Sequence, residues 1–557
     1  MNASLLSRRL ITTLLPALLL SASCDRDKAD DAKTFRFINR GDIYTLDLNE
    51  MSYSQDIRVT YLTREGLYSP TGPQYTPIPA GATSVDISAD QCVYTFHLRP
   101  NAKWSNGDTV KAGDYEFSWR YMLQQPGEYT YLFYYIRGAE AYKDAYAAGK
   151  DVSFDTVGIK AIDDLTFQVT LKQPVAYFID LVAFTPFYPR HEPSMRPFAD
   201  KDPKTGHVTY RSEYTRPPAV VTNGAFALTD WKFKRILRFT PNRYYWDAGK
   251  VKLDEIDMLV NDNTLSSYLQ FTAKSLDWIV EVQQEIAPEL KQKNVEGLHV
   301  APSFTTQYLT MSCKPTLPDG SKNPMADVRV RQVLAYAIDK KFIVENVTRL
   351  GEKVATTFVP PGTLPGYESL PGLGYDVEKA RQLLADAGYP GGKGFGRVTF
   401  LYNSENSTRA RIAQVLSQQW QKALGINIEI EGVEGKTFSE RLSGRDFAMA
   451  AAAWTGDYPD VSTFTDKYQS ASLQNDASWI NPEYDRLLNQ AAAEPDKEKR
   501  LNSLRQAEQL LNTEGAVVPL YHPVTPTLIG SRVRGLVPNA RLIVDWKSLS
   551  FEDAKSP

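Results

Sequence analysis

At 557 residues and 62.6 kDa the chain is several times the length of a typical domain, which excludes a small disulfide-stapled scaffold and points to roughly two to four folding units. Hydrophobic residues make up 42% and charged residues 23%, with no low-complexity tract, so wholesale disorder is excluded as well. Lys plus Arg (63) nearly balances Asp plus Glu (66) for a formal charge of -3, and no stretch concentrates basic residues, so no nucleic-acid partner is expected.

At the start of the chain Arg8 and Arg9 precede an uncharged, Leu-rich run from Leu10 to Leu20, and small residues Ser21, Ala22 and Ser23 lead into Cys24. This reads as an export signal, because the apolar run falls short of the roughly 20 residues that a permanent span needs. It resembles a bacterial lipoprotein signal occupying residues 1–23, after which a lipidated cysteine, here Cys24, begins the mature protein. The leucine usual three places before the cysteine is displaced: Ser21 stands there and Leu20 lies one further back. An ordinary cleaved signal with a chance cysteine is the alternative. Residues 24–35 form a polar tether, and no later apolar run is long enough to span a bilayer, so attachment to the membrane rests on the lipid anchor. The expected location is the periplasm or the outer face of the cytoplasmic membrane, which Asp25 favours if enterobacterial sorting applies. Beyond Cys24 only Cys92 and Cys313 remain, and two buried free thiols are expected in preference to a disulfide.

Tyr94, Phe96 and Leu98 alternate with Val93, Thr95 and His97, and Phe167, Val169 and Leu171 alternate in the same way, which predicts two strands. Between them a loop around Trp104 gives way to a helix carrying Tyr115, Trp119 and Met122. Asp163-Asp164 read as turn residues rather than as an acid–base pair. Strand character returns through Phe226 and Leu228, then Leu237 and Phe239, before the aromatic loop Tyr244, Tyr245, Trp246.

The second half alternates helices and strands. Val330, Val333, Leu334, Ala337 and Ile338 form the apolar stripe of a helix. Asp376 caps the next, with Ala380, Leu383, Leu384 and Ala387 facing inward, Gly388 to end it and Pro390 beyond. Val398 to Tyr402 reads as a strand, a helix carrying Ile412, Val415 and Leu416 ends near Gly425, and Ile426, Ile428 and Ile430 mark another strand, a sequence of elements that implies a parallel crossover. The apolar run Ala448 to Ala453 suits a strand buried on both faces, and it stops at Trp454-Thr455-Gly456-Asp457, where an open α/β sheet presents ligand-contacting loops.

Enzyme signatures are absent where they would be easy to see. The five histidines show no metal-binding spacing, with His97 read as a strand residue whose ring nitrogen is satisfied, and there is no nucleophile elbow, phosphate loop or CxxC. Gly391, Gly392, Gly394 and Gly396 precede a strand instead of opening a helix, and a flexible turn explains them. No enzyme activity, cofactor or metal is expected.

Four segments resemble the periplasmic solute-binding proteins that deliver oligopeptides and dipeptides to ABC importers, solute-binding protein family 5. They are Tyr94 to Trp119 (YTFHLRPNAKWSNGDTVKAGDYEFSW), TNGAF at 222–226 with PNRYYW at 241–246, Asp327 to Asp339 (DVRVRQVLAYAID) and Trp454 to Asp460 (WTGDYPD), and their order agrees with the family from about residue 36 onward. The resemblance implies an α/β fold, a two-lobed periplasmic-binding-protein clamp with three domains, one discontinuous: domain I at 36–64, 190–304 and 527–557, domain II at 65–189, and domain III at 305–526. It implies a monomeric receptor whose lobes close by a hinge over short peptides and whose partners are ABC permease subunits.

By the same resemblance Asp457 matches the carboxylate that receives a peptide's α-ammonium group, with Trp454, Thr455 and Gly456 beside it in the motif and Trp454 as a wall of the site. Tyr129, within EYTYLFYY, lies near a further contact, Ser54 offers backbone groups, and Arg409 is placed to substitute for an Arg that meets a ligand carboxylate, since Ala451 occupies the place of another. Thr455 stands where many oligopeptide members carry a disulfide cysteine. A receptor for another solute, a peptide sensor that signals without transport, and a hydrolase on the same scaffold are the competing readings.

Overall fold

Two short chain crossings divide the molecule into two lobes. In the computed structural model, which describes residues 33–552 apart from positions 40, 73–75, 151, 262, 363, 365 and 473, strand Leu298–Pro302 belongs to one sheet and Thr305–Met311 to another. The chain returns between strands Val517–His522 and Val524–Ile529, with Pro523 alone between them, and the Ser303 amide donates to the Pro523 carbonyl at 2.9 Å, so the two crossings lie side by side.

The first lobe is built on a seven-stranded sheet in the order Phe226–Lys232, Ile236–Pro241, Glu255–Leu259, Thr34–Ile38, Trp278–Ile279, Val524–Ile529, Leu298–Pro302. Segments from the beginning, middle and end of the chain therefore share one sheet. Thr34–Ile38 pairs in parallel with both Glu255–Leu259 and Trp278–Ile279, and its Phe35 and Phe37 are buried against Trp546 and Leu549 of the C-terminal segment. A core strand begins at Thr34, and the chain crosses back at Pro523.

A four-stranded antiparallel sheet, Ala82–Ile87, Val93–Leu98, Thr166–Thr170, Ile159–Ala161, forms the second part of this lobe. The two alternating patterns read from the sequence pair directly, Phe96 opposite Phe167, and helix Ala112–Gln124 lays Trp119 and Tyr115 onto them. Asp163 holds the turn through a 2.8 Å bond from the Leu165 amide, and His97 Nε2 meets Asp86 Oδ2 at 2.8 Å.

The second lobe carries the six-stranded sheet Lys353–Val354, Val517–His522, Thr305–Met311, Met449–Thr455, Val398–Asn403, Ile428–Val433. Val398–Asn403 and Ile428–Val433 run parallel and are joined by helix Ser407–Leu424, the crossover that the sequence implies. The Ala-rich strand sits between two neighbours, antiparallel to Thr305–Met311 and parallel to Val398–Asn403, because small side chains let covering layers approach both faces. Asp376 caps helix Val377–Asp386 through the Lys379 amide, and Gly388 and Gly425 take the positive φ values of +94° and +69° that end their helices.

Cys92 and Cys313 are unpaired, but each is half-buried where full burial is expected, because Cys92 sits immediately before its strand and Cys313 just past the end of another. Cys24 and the signal lie outside the described residues. Among the described residues no helix is long and apolar enough to cross a membrane.

Candidate functional site

A cavity of about 990 Å³ opens between the lobes, beside the two crossings. One wall is helix Ser54–Thr63. Its residues 54, 57, 58 and 61 recur at helical spacing, so Ser54, Ile57, Arg58 and Tyr61 all face the cavity while Val59 and Leu62 pack into the sheet behind. Ser54 is exposed at the start of the helix, where its own amide has no carbonyl one turn earlier within the helix to bond.

The opposite wall is the end of strand Met449–Thr455 and the loop that follows it. Thr455 Oγ1 lies 2.8 Å from Thr305 Oγ1 of the neighbouring strand, so the two hydroxyls tie the strand ends together. The Gly456 amide donates to the Phe304 carbonyl at 2.9 Å. A Cβ at Gly456 would stand 2.0 Å from the Phe304 ring, so only glycine lets the loop pass there.

Asp457 is held from three directions. Its amide donates to Thr463 Oγ1 at 2.9 Å within the same lobe. Its carbonyl accepts a 2.9 Å bond from Arg541 in the C-terminal segment, and its Oδ1 accepts a 3.3 Å bond from the Tyr129 hydroxyl, both from the other lobe. Burial pushes the Asp457 carboxyl up to about 6, and the hydroxyls of Tyr129 and Tyr131 and the Arg541 charge oppose that rise. Tyr129 is itself held far above the usual phenol range, first by burial and then by the Asp457 charge. A carboxylate partly shielded from water in this way gains from a cation that brings hydrogen-bond donors of its own.

Trp454 does not line the cavity. Side chains alternate along its strand, so Ala453 and Thr455 face the cavity and Trp454 faces away. Its Nε1 donates to the Thr463 carbonyl at 2.7 Å, and Lys467 Nζ sits 4.9 Å from its ring centroid. Ser54, Tyr129, Arg409, Thr455, Gly456 and Asp457 do come together around the cavity. Arg409 does so from the first turn of helix Ser407–Leu424, whose cap Asn406 accepts its amide.

Several cavity residues carried no sequence signal. Arg541, Tyr44, Tyr53, Glu281 and Glu285 come from loops with no periodicity, and only the folded chain brings them to the wall. Glu285 also reaches the other lobe, accepting a 2.9 Å bond from Ser407 Oγ. Outside the cavity the lobes meet again where the Tyr135 hydroxyl donates to Asp466 Oδ2 at 3.3 Å and Tyr177 stacks on Tyr458 with centroids 5.1 Å apart. Among the described residues no three His, Cys, Asp or Glu side chains are grouped to hold a metal ion.

A family model described as "Bacterial extracellular solute-binding proteins, family 5 Middle" matches residues 76–476. The oligopeptide-binding protein OppA of Bacillus subtilis is 32% identical over 471 residues, covering 82% of this chain and 81% of that one. The periplasmic oligopeptide-binding protein OppA of Salmonella typhimurium is 30% identical over 546 residues, 96% of this chain and 95% of its own. Among solved structures, Listeria monocytogenes OppA bound to peptide matches with a TM-score of 0.75 at 28% identity, over 94% of this chain and 100% of that chain. With a matched segment that takes in most of the chain and relatives that align across nearly all of it, this chain belongs to family 5 of the bacterial extracellular solute-binding proteins, a family of receptors and not of enzymes.

Proposed function

We propose that the protein is an extracytoplasmic receptor that captures short peptides between two hinged lobes and passes them to the permease subunits of an ABC importer. The observation that carries this reading is Asp457, a carboxylate inside the interlobe cavity whose burial raises its pKa to about 6. It is suited to a peptide's α-ammonium group, which supplies one positive charge and up to three donors. Ser54, at the exposed start of its helix, offers backbone groups to an extended ligand, and Arg409 serves a ligand carboxylate. The paired crossings at 303–304 and 523 are short and unbranched, as a hinge requires, and we place the boundary between domain III and the discontinuous domain I there. A lipidated Cys24 holds the receptor at the membrane, in keeping with the signal that precedes it.

Calorimetric titration of Asp457→Ala tests the central contact. The substitution is expected to weaken binding of peptides with a free amino terminus by about 10-fold to 100-fold, the range for a hydrogen bond to a charged group. Their N-acetylated forms have no ammonium to lose and should be affected much less. Equal losses for both would remove Asp457 from the ligand contact. Labelling with a fatty acid should tag the wild type and not Cys24→Ser, and equal tagging would rule out the anchor.

A further inference from the structure

The wall helix Ser54–Thr63 has two distinct ends. Its Tyr61 end lies within electrostatic reach of Asp457, whose charge adds to the effect of burial in pushing the Tyr61 hydroxyl up to about 12. The other end carries a pair of aromatic rings. Tyr53, the residue that caps the helix, and Tyr44 both line the cavity, with ring centroids 4.6 Å apart. They remain 55% and 69% exposed.

Both residues are fixed by their backbones. The Tyr44 amide donates to Asp56 Oδ1 at 2.9 Å, and the Tyr53 carbonyl accepts from the amides of Asp56 and Ile57. Asp56 is fully buried, so this anchorage belongs to the core of the lobe. The paired rings offer an apolar group a large face to cover.

We propose that Tyr44 and Tyr53 form a subsite for an aromatic side chain at the fourth or fifth residue of the bound peptide. The helix itself supplies the register. Tyr53 precedes Tyr61 by eight positions, which at a rise of 1.5 Å per residue is about 12 Å. An extended ligand laid along the helix, with its first residue at Asp457 beside Tyr61, advances about 3.3 Å per residue and covers that distance in between three and four steps. Side chains alternate along an extended ligand, so one of these two residues faces the ring pair and the other turns away. The inference rests on the peptide reading above and adds to it a position and a chemistry of selection.

The test scans a single phenylalanine through every position of hexa-alanine and titrates each peptide into the wild type and into Tyr44→Ala/Tyr53→Ala. The wild type is expected to bind the peptide with phenylalanine at position 4 or 5 about 3-fold to 10-fold more tightly than hexa-alanine, the range for an aromatic pair. The double variant should bind the phenylalanine peptide no more tightly than it binds hexa-alanine, and Tyr44→Phe/Tyr53→Phe should keep the gain. A flat scan, a maximum elsewhere, a gain that survives in the alanine variant, or a uniform loss across all peptides in that variant overturns the subsite and leaves the peptide reading standing. A wild type that binds no peptide of the series overturns both.

Discussion

Tyr129 and Asp457 stand 328 positions apart in the chain, and the Tyr129 hydroxyl donates a 3.3 Å hydrogen bond to Asp457 Oδ1 across the cavity. The same aspartate gives its backbone carbonyl to Arg541, 84 positions further on. Both parts of the first lobe therefore touch one residue of the second. An ammonium group arriving at Asp457 would enter a carboxylate that is already oriented, so little of its interaction energy is spent on ordering the site.

The first prediction concerns pH. Only the ionised carboxylate attracts an ammonium group, and in the ligand-free protein burial raises the Asp457 pKa to about 6. Peptide affinity should be highest near pH 7, fall as pH drops through 6, approaching about tenfold per unit well below it, and begin to fall again near pH 8 as the peptide's own α-ammonium group, with an ordinary pKa of about 8, loses its proton. Titration calorimetry from pH 4.5 to 8 checks this, and N-acetylated peptides should show a much flatter profile.

Tyr129→Phe should move that profile. The hydroxyl stabilises the ionised form, so its removal raises the Asp457 pKa further and shifts the midpoint to higher pH. Affinity at pH 8, where the carboxylate stays ionised, should change by only a few-fold, the worth of one hydrogen bond. A variant whose midpoint stays put would show that the contact has no electrostatic effect on the aspartate.

How far the sequence discloses such a site depends on whether a signal is local. The caps at Asp376, Gly388 and Gly425 and the crossover between Val398–Asn403 and Ile428–Val433 are legible because each is set by a few neighbouring residues. Asp457 is legible as a loop residue because it lies two places beyond a strand of small residues, whereas its part in ligand contact is implied only by the resemblance of WTGDYPD to the family motif. The face of Trp454 is not legible, since a strand reverses its side chains at every residue and the run of alanines before it carries no contrast to fix the phase. Arg541 was invisible, because it joins the site through one bond to a backbone carbonyl, a contact that no spacing encodes.

Gly456→Ala should damage binding from a position that offers no side chain to a ligand. The added methyl group would stand 2.0 Å from the Phe304 ring, so either the ring or the loop has to move. Overpacking of this kind costs about 1–3 kcal/mol. The loop also carries Asp457, so peptide affinity should fall along with the melting temperature, and a peptide affinity equal to that of the wild type would show that the loop yields without displacing the aspartate.

The last prediction follows from carboxyls that burial raises together. Asp56, Asp180 and Asp466 are all pushed up to about 7, with Asp180 and Asp466 raised further by the neighbouring Asp460. Tyr135 and Arg500 oppose the rise at Asp466, and Arg541 and Arg500 oppose it at Asp180. Each group has an ordinary value near 3.8, so between about pH 4 and 7 the folded chain binds more protons than the unfolded one. Their contribution to stability is therefore fully present below pH 4 and is lost as pH rises through 7. For the ligand-free protein, melting should occur at a higher temperature at pH 5 than at pH 7.5, against the trend set by ion-paired carboxylates. Asp466→Asn should flatten the dependence, because an amide keeps a partner for Tyr135 without a charge to desolvate. An Asp466→Asn variant whose melting temperature changes with pH as steeply as the wild type would place the titrating groups elsewhere.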